Sequence, residues 1–215
     1  MAKSLPKCKH SHTIITHPNC FPKYWYEDEG HRIGYLDIEA SGLSANQAWM
    51  LSWAIKDRDD TIPNYDFVRQ DEFFEKPGKI NLNYDKRVVK TLLDEMKNYT
   101  VLVTYYGTGF DIPFIRTRAM KYGLRFPYYG EISHIDLYYQ VRSKMSLNRN
   151  SLAQATEFLE ISGKTHLNFS YWGLAAMSDK KSMEKLVEHN TADVEILEDL
   201  HYRLEPYCKS TKKSL

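Results

Sequence analysis

Two carboxylates stand close together in an apolar stretch of the chain. Asp37 and Glu39 are two positions apart in IGYLDIEASGL, residues 33–43. Side chains at this spacing project from the same face of a β-strand. Burying two negative charges is unfavourable unless a cation compensates them, so the spacing predicts a divalent-metal site. A solvated face of an edge strand is the alternative, because the chain has 28 acidic residues.

Two more acidic positions follow later in the chain. Asp111 comes after the apolar run VLVTYY and two glycines, at a predicted helix start. It would lie at the carboxyl end of a parallel strand, where α/β sheets build their sites, although an N-terminal helix cap is the alternative role. His189 and Asp193 are four residues apart in the longest helical pattern. They share one helix face, either in a site or as an ordinary surface contact.

The amino-terminal segment contains a dense cluster of cysteine and histidine. Its five members lie within thirteen residues: Cys8, His10, His12, His17 and Cys20. Zinc binds four such ligands in a tetrahedron, so the cluster predicts one structural Zn²⁺ that fixes this arm. The spacing matches no common zinc-finger pattern. A polar arm that packs through its own proline and phenylalanine residues is the alternative.

Composition limits the class of protein. The 215 residues suit one domain, and 29 Lys and Arg against 28 Asp and Glu give a net charge of +1. Any nucleic-acid surface must therefore be local. The sequence has no apolar run of membrane-spanning length and no secretory signal, and its three scattered cysteines are typical of a reducing compartment. We therefore predict a soluble, cytoplasmic protein.

Hydrophobic periodicity predicts a mixture of strands and helices. Alternating residues predict three consecutive antiparallel strands at 32–38, 47–56 and 65–74. An amphipathic helix at 84–99 then leads into a buried parallel strand at 101–106. The later predicted elements are a helix from Asp111 that ends at Gly123, a short strand within 131–139, a helix capped by Ser151, an irregular aromatic stretch at 169–172 and a long helix at 179–204.

The same pattern divides the chain into three segments. Residues 1–30 form the arm with the cysteine and histidine cluster, and residues 31–207 form a single α/β domain. Residues 208–215 form a basic tail that we expect to be disordered.

The order of the acidic motifs resembles a known family. LDIEASGL, YYGTGFDIPFI and HNTADVEIL are similar to the three motifs of the DEDD 3'–5' exonucleases of the ribonuclease H-like superfamily, and they frame residues 32–204. The chain particularly resembles stand-alone ribonuclease H-like domains and the proofreading domains of family B polymerases, which share the F-D-x-P-F turn. The resemblance implies an α/β fold in which a mixed five-stranded sheet, three antiparallel strands then two parallel ones, is flanked by helices.

The resemblance also implies a mechanism. Two Mg²⁺ or Mn²⁺ ions, which can activate water and stabilise the departing 3' oxygen of a phosphodiester, would be bound by four carboxylates: Asp37, Glu39, Asp111 and Asp193. His189 would orient or deprotonate the water. It stands four residues before the last aspartate, whereas the histidine subfamily has this residue five before it. Tyr106 stands where the family often has asparagine.

Nucleic acid is the substrate that this resemblance implies. Aromatic side chains near the site would stack on bases and basic ones would contact phosphates; the candidates are Tyr105, Tyr106, Phe110, Arg116 and Arg149. The alternatives are a structure-specific endonuclease, a non-catalytic nucleic-acid-binding module and a zinc-organised protein-interaction domain. DNA and RNA stay equally open, because a contact to the 2'-hydroxyl decides between them.

Overall fold

Seven β-strands form two sheets in the described part of the chain. The structure is a computed structural model, and it describes residues 10–12, 32–58, 60–163 and 165–208. Most of the predicted arm and the predicted disordered tail therefore lie outside the described residues. The strands are β1 (Ile33–Ala40), β2 (Met50–Asp57), β3 (Asn64–Phe67), β4 (Phe74–Lys76), β5 (Lys79–Ile80), β6 (Val101–Thr104) and β7 (Ser133–Asp136).

Six α-helices accompany these strands within the same described ranges. They are α1 (Lys86–Met96), α2 (Asp111–Tyr122), α3 (Leu137–Lys144), α4 (Leu152–Phe158), α5 (Ser170–Ala176) and α6 (Lys180–Leu204). Several helix ends follow the sequence prediction. Gly123 adopts the left-handed conformation (φ 63°) that ends α2, and Ser151 caps α4 by accepting the N–H of Gln154 at 3.2 Å. None of these helices is long and apolar enough to cross a membrane.

Five strands form one mixed sheet in the order β3-β2-β1-β6-β7. The pairs β1–β2 and β2–β3 are antiparallel, whereas β1–β6 and β6–β7 are parallel. The predicted sheet of three antiparallel strands followed by two parallel strands is therefore confirmed. The central strand is β1, and seven of its eight residues are buried, as expected for a strand that is covered on both faces.

Helices cover the two faces of this sheet. Successive side chains of β1 point to opposite faces and join different cores. Leu36 belongs to the core formed with α1 and α2, whereas Tyr35 belongs to the core formed with α3, α4 and the second half of α6. The long helix α6 contributes to both cores, with Leu186 in the first and Leu197 in the second. It also packs along both β1 and β2.

The predicted third strand is shorter than expected. Strand β3 stops at Phe67, because the backbone N–H of Arg69 donates to Glu72 Oε2 at 2.8 Å and the chain enters a 3₁₀ turn at Gln70–Glu72. Of the remaining predicted residues, only Phe74 lies in a strand, as the first residue of β4 in the separate hairpin β4–β5.

The aromatic stretch at 169–172 was also predicted wrongly, as irregular chain. It enters helix α5, where Asn168 Oδ1 accepts the N–H of Ser170 at 3.0 Å. A short helix with no charged residue carries little periodic signal, and α5 is held mainly by its contact with α6.

A buried ion pair ties α1, α2 and β2 together. The side chains of Arg118 and Asp85 are 2% and 0% exposed, and the guanidinium donates to both carboxylate oxygens at 2.6 and 2.8 Å. Asp85 Oδ2 also accepts the backbone N–H of Met50 at 3.0 Å. Arg118 Nη1 donates to the carbonyl of Ala45 at 3.1 Å. The pair therefore fixes the loop and the strand that follow β1.

Asp85→Asn should lower the free energy of unfolding by about 3–5 kcal/mol, because it leaves a buried guanidinium without its compensating charge. Urea unfolding near neutral pH measures this change. The control is Asp94→Asn, which removes surface pairs with Lys90 and Lys97 and should change stability by less than about 1 kcal/mol. Equal losses in the two variants would contradict the special role of the buried pair.

A buried histidine makes stability sensitive to acid. His201 of α6 is 4% exposed, and its Nδ1 lies 3.1 Å from the hydroxyl of Tyr35 on β1. Burial, with the charge of Arg58 as a smaller cause, lowers the pKa of His201 to about 3. In the unfolded chain the pKa of this histidine is about 6.5, so the unfolded chain takes up a proton at a higher pH than the folded protein does.

The contribution of His201 to the free energy of unfolding should therefore fall by up to about 1.4 kcal/mol per pH unit between about pH 6.5 and pH 3. His201→Gln keeps a hydrogen-bonding group beside Tyr35 and removes this dependence. Urea unfolding of both proteins from about pH 7 to pH 4 measures the difference in stability, which should narrow as the pH falls. A difference that stays constant would show that His201 does not remain neutral.

Candidate active site

A cleft of about 460 Å³ opens at the carboxyl ends of the parallel strands β1 and β6. Its walls come from β1, the loop after β6, the start of α2, and the helices α5 and α6. The lining includes all five residues that the sequence analysis selected for catalysis: Asp37, Glu39, Asp111, His189 and Asp193. One strand, β1, and two helices, α2 and α6, thus bring together residues that are far apart in the chain.

The two carboxylates of β1 each accept an N–H from another part of the fold. Asn190 of α6 donates its Nδ2 to Asp37 Oδ2 at 2.7 Å. Trp172 of α5 donates its indole N–H to Glu39 Oε2 at 2.6 Å. Both donors are neutral, so they orient the carboxylates without cancelling their charge.

Asp111 lies at the start of α2, yet it does not cap that helix. Phe110 occupies the N-cap position, and Asp111 Oδ1 instead accepts the backbone N–H of Ile38 at 3.2 Å. The helix-cap alternative is therefore wrong, since the carboxylate turns back towards β1. Burial raises the pKa of Asp111 to about 7, against the opposing effect of its backbone hydrogen bonds. A nearby cation would favour the charged form.

His189 and Asp193 lie one turn apart on α6 and face the carboxylates of β1. His189 Nε2 is 3.9 Å from Glu39 Oε1 and 3.9 Å from Asp193 Oδ2. On the other side of the ring, Nδ1 lies 2.5 Å from Thr165 Oγ1. The edge of the ring also meets Trp172, with the ring centres 5.8 Å apart. These contacts orient the imidazole with one nitrogen towards the cleft.

The loop after β6 places an aromatic side chain at the cleft in a strained conformation. Tyr106 has a φ of 61°, which is rare for a residue with a side chain. Asp136 holds this conformation, because its two oxygens accept the N–H groups of Tyr106 and Thr108 at 2.8 and 2.9 Å. The ring lies so close to Gly109 that a Cβ there would be 2.5 Å from it. A side chain at position 109 would therefore displace the ring of Tyr106.

The predicted nucleic-acid contacts divide into two groups. Tyr105, Tyr106 and Phe110 line the cleft. Arg116 lies outside the lining, with its guanidinium 4.9 Å from the ring centre of Phe126. Arg149 also lies outside it, on an exposed loop.

Several residues of the site were not found from the sequence. Trp172, Asn190 and Thr165 contact the predicted catalytic side chains, and Asp136 holds the loop of Tyr106. Asn190 is next to a predicted residue in the sequence, but its contact is made across the fold. The other three carried no signal, because their spacing to the motifs follows from the tertiary structure alone.

The predicted zinc cluster is described only in part. His10 and His12 have their ring centres 6.1 Å apart. Cys8, His17 and Cys20 lie outside the described residues. The structural Zn²⁺ therefore stays a prediction.

The donor set of the cleft fits divalent cations. Mg²⁺ and Mn²⁺ prefer oxygen ligands, and four carboxylates lining one cleft supply them. Within the described ranges, no three His, Cys, Asp or Glu side chains converge into a ready-made metal cluster. The fit therefore rests on the kind of donors and on the cleft that they share.

A model of a known protein family matches most of the chain. The model of the RNase_H superfamily matches residues 34–205. The chain belongs to this superfamily. The matched residues of the RNase H superfamily domain include the whole mixed sheet apart from the first residue of β1, and all four carboxylates of the cleft.

Two DNA polymerases are similar to parts of the chain. A DNA polymerase of Methanocaldococcus jannaschii is 33% identical over 51 residues, which are 24% of this chain and 3% of that protein. The family B DNA polymerase of the hyperthermophilic archaeon Pyrobaculum calidifontis has a similar structure, with a TM-score of 0.61 and 19% identity over 82% of this chain and 25% of the polymerase. The structural likeness shows the fold, and the chain spans only a small part of either polymerase.

Asp136→Asn should lower the free energy of unfolding by about 1–3 kcal/mol. The amide has only one acceptor oxygen, so the N–H of either Tyr106 or Thr108 would face an NH₂ group and lose its acceptor. Urea unfolding measures the loss. Asp199→Asn, at an exposed position of α6, is the control and should change stability by about 0.5 kcal/mol or less. If both variants were as stable as the wild type, Asp136 would not be what holds the loop of Tyr106.

Proposed function

We propose that the chain is a metal-dependent 3'–5' exonuclease that hydrolyses phosphodiester bonds of DNA or RNA with two Mg²⁺ or Mn²⁺ ions. Membership in the RNase H superfamily supports a nuclease in general terms, with nucleic acid as its substrate. The observation that carries the finer proposal is the single cleft that four carboxylates and a histidine share. The two similar proteins are named as DNA polymerases, which is consistent with a polynucleotide substrate.

The carboxylates are the proposed metal ligands. Divalent cations held by them would supply Lewis-acid activation of water and stabilisation of the departing 3' oxygen. The four ligands would be Asp37, Glu39, Asp111 and Asp193. Neutral hydrogen-bond donors already hold Asp37, Glu39 and Asp111 without cancelling their charge, which suits ligands for cations.

His189 is the proposed general base. The imidazole is the side chain most often used to accept a proton at neutral pH. Its Nε2 is close to both Glu39 and Asp193, so the base and the proposed ligands face the same volume. The water oxygen attacks phosphorus, the bond from phosphorus to the 3' oxygen breaks, and the proton of the water passes to His189. The departing 3' oxygen takes a proton from solvent and becomes the new 3' hydroxyl.

The aromatic rim supports attack at the end of a strand. Tyr106 is 46% exposed at the cleft, and Phe110 lines the same wall. An exposed ring held in place by a strained loop is suited to stacking on an unpaired base. The hydroxyl of Tyr105 donates to the carbonyl of Asn150 at 2.6 Å, which brings the loop of Arg149 towards this rim. The guanidinium of Arg149 would then contact a phosphate upstream of the terminal base.

The charge of the cleft argues against a module that binds nucleic acid without cutting it. Affinity for nucleic acid comes chiefly from cations that neutralise phosphates. A cleft lined by four carboxylates repels phosphate unless metal ions occupy it. A catalytic role uses this arrangement, whereas a purely binding role is weakened by it.

Degradation of end-labelled single-stranded and duplex DNA and RNA tests the proposal. The wild type should shorten strands stepwise from the 3' end with Mg²⁺ or Mn²⁺ and not with a chelator. Asp37→Ala and Asp193→Ala should each lower the rate by at least about 100-fold, because each removes a charge that stabilises the reaction. Labels at both ends distinguish the polarity of the shortening.

The control is Asp94→Ala, which removes a surface carboxylate of α1 that does not line the cleft and should leave the rate unchanged. Internal cuts would contradict the exonuclease proposal and support the alternative of a structure-specific endonuclease. Binding of nucleic acid without any cleavage, under all these metal conditions, would contradict the catalytic proposal.

A further inference from the structure

Two neutral N–H donors that were not among the predicted site residues hold the carboxylates of β1. Trp172 Nε1 lies 2.6 Å from Glu39 Oε2, and Asn190 Nδ2 lies 2.7 Å from Asp37 Oδ2. Each donor engages one oxygen of its carboxylate. The direction of the carboxylate plane is therefore set by a group that is not itself a candidate ligand.

The orientation of the Asn190 amide is itself fixed. Ser52 of β2 donates its hydroxyl to Asn190 Oδ1 at 3.0 Å, and the two residues are 0% and 1% exposed. The amide must point its NH₂ towards Asp37, because a flipped amide would set its oxygen against a carboxylate, which only accepts hydrogen bonds. The chain of contacts runs from β2 through α6 to the carboxylate of β1.

Two rings contact the indole of Trp172. Phe169 stacks on it with ring centres 6.3 Å apart, and the ring of His189 meets it at 87°. Helix α5, which carries Trp172, packs along α6. The indole N–H thus reaches Glu39 from a rigid support, and its position is linked to that of His189.

Neutral donors have a specific advantage beside metal ligands. A lysine or arginine would compensate the carboxylate charge and compete with a divalent cation. An amide or indole N–H restricts the carboxylate to one orientation and leaves its full negative charge for the cation. The type of donor, as well as its position, therefore suits a metal site.

We propose that Trp172 and Asn190 are positioning residues for divalent cations in the cleft. They act through Glu39 and Asp37, and the inference rests on the proposed function, since it assigns them to the same metal site. Residues that orient metal ligands typically contribute about 10–100-fold to metal affinity. The contribution of these two residues is measurable without any nucleic acid.

Titration of the full chain with Mn²⁺ alone, with free Mn²⁺ counted by electron paramagnetic resonance, tests the proposal. Trp172→Phe keeps an aromatic ring and removes the N–H, and Asn190→Leu keeps the size and removes the amide. Each variant should bind Mn²⁺ about 10-fold more weakly than the wild type. Ser52→Ala should weaken binding less, because the amide of Asn190 remains and only its orientation is released.

Trp53→Phe is the matched control for the loss of an indole N–H. Trp53 donates to Thr91 Oγ1 at 3.2 Å, away from the cleft, so its variant should bind Mn²⁺ as the wild type does. Unfolding by urea identifies any variant that does not fold. Trp172 is only half-buried, so Trp172→Phe keeps the test valid if Asn190→Leu is unstable.

The outcomes separate this inference from the proposed function. Weaker Mn²⁺ binding in Trp172→Phe and Asn190→Leu, with Trp53→Phe unchanged, supports the positioning roles. Wild-type affinity in folded variants overturns them and leaves the metal site itself standing. A wild type that binds no Mn²⁺ overturns the proposed metal-dependent function and the positioning roles together.

Discussion

Four carboxylates share one cleft, and the cost of burying their charges is the constraint on which the arrangement of this fold depends. A carboxylate at low exposure is stable only when hydrogen-bond donors or cations compensate it. The structure meets this constraint with N–H donors placed by other elements, and three of the carboxylates each accept one. Strand β1 and the helices α2, α5 and α6 must therefore all be in place for the site to exist.

The remainder of the domain keeps these elements fixed. Strand β1 is central in the sheet and buried on both faces, so its carboxylates project from a rigid support. The buried pair of Arg118 with Asp85 holds α2 against β2, and α2 carries Asp111 at its first residue. Asp136 holds the loop that presents Tyr106. The contacts that stabilise the fold therefore also fix the geometry of the site.

The sequence predicted a mixed sheet of three antiparallel and two parallel strands, and the order of its motifs predicted the five residues that line the cleft. Asp37 and Glu39 are two positions apart and share one face of a strand, and His189 and Asp193 share one face of a helix. Trp172 and Asn190 escaped prediction because their partners are 133 and 153 residues away in the chain. Helix α5 was missed for a related reason, since its seven residues are held by α6 rather than by their own periodicity.

Diffraction from crystals of the protein soaked in Mn²⁺, with anomalous scattering measured, tests the central claim most directly. The proposed site predicts anomalous peaks in the cleft between the carboxylates of β1, α2 and α6. It also predicts that Trp172 and Asn190 still contact Glu39 and Asp37 when the metal is bound. Mn²⁺ bound elsewhere, with none in the cleft, would contradict the account.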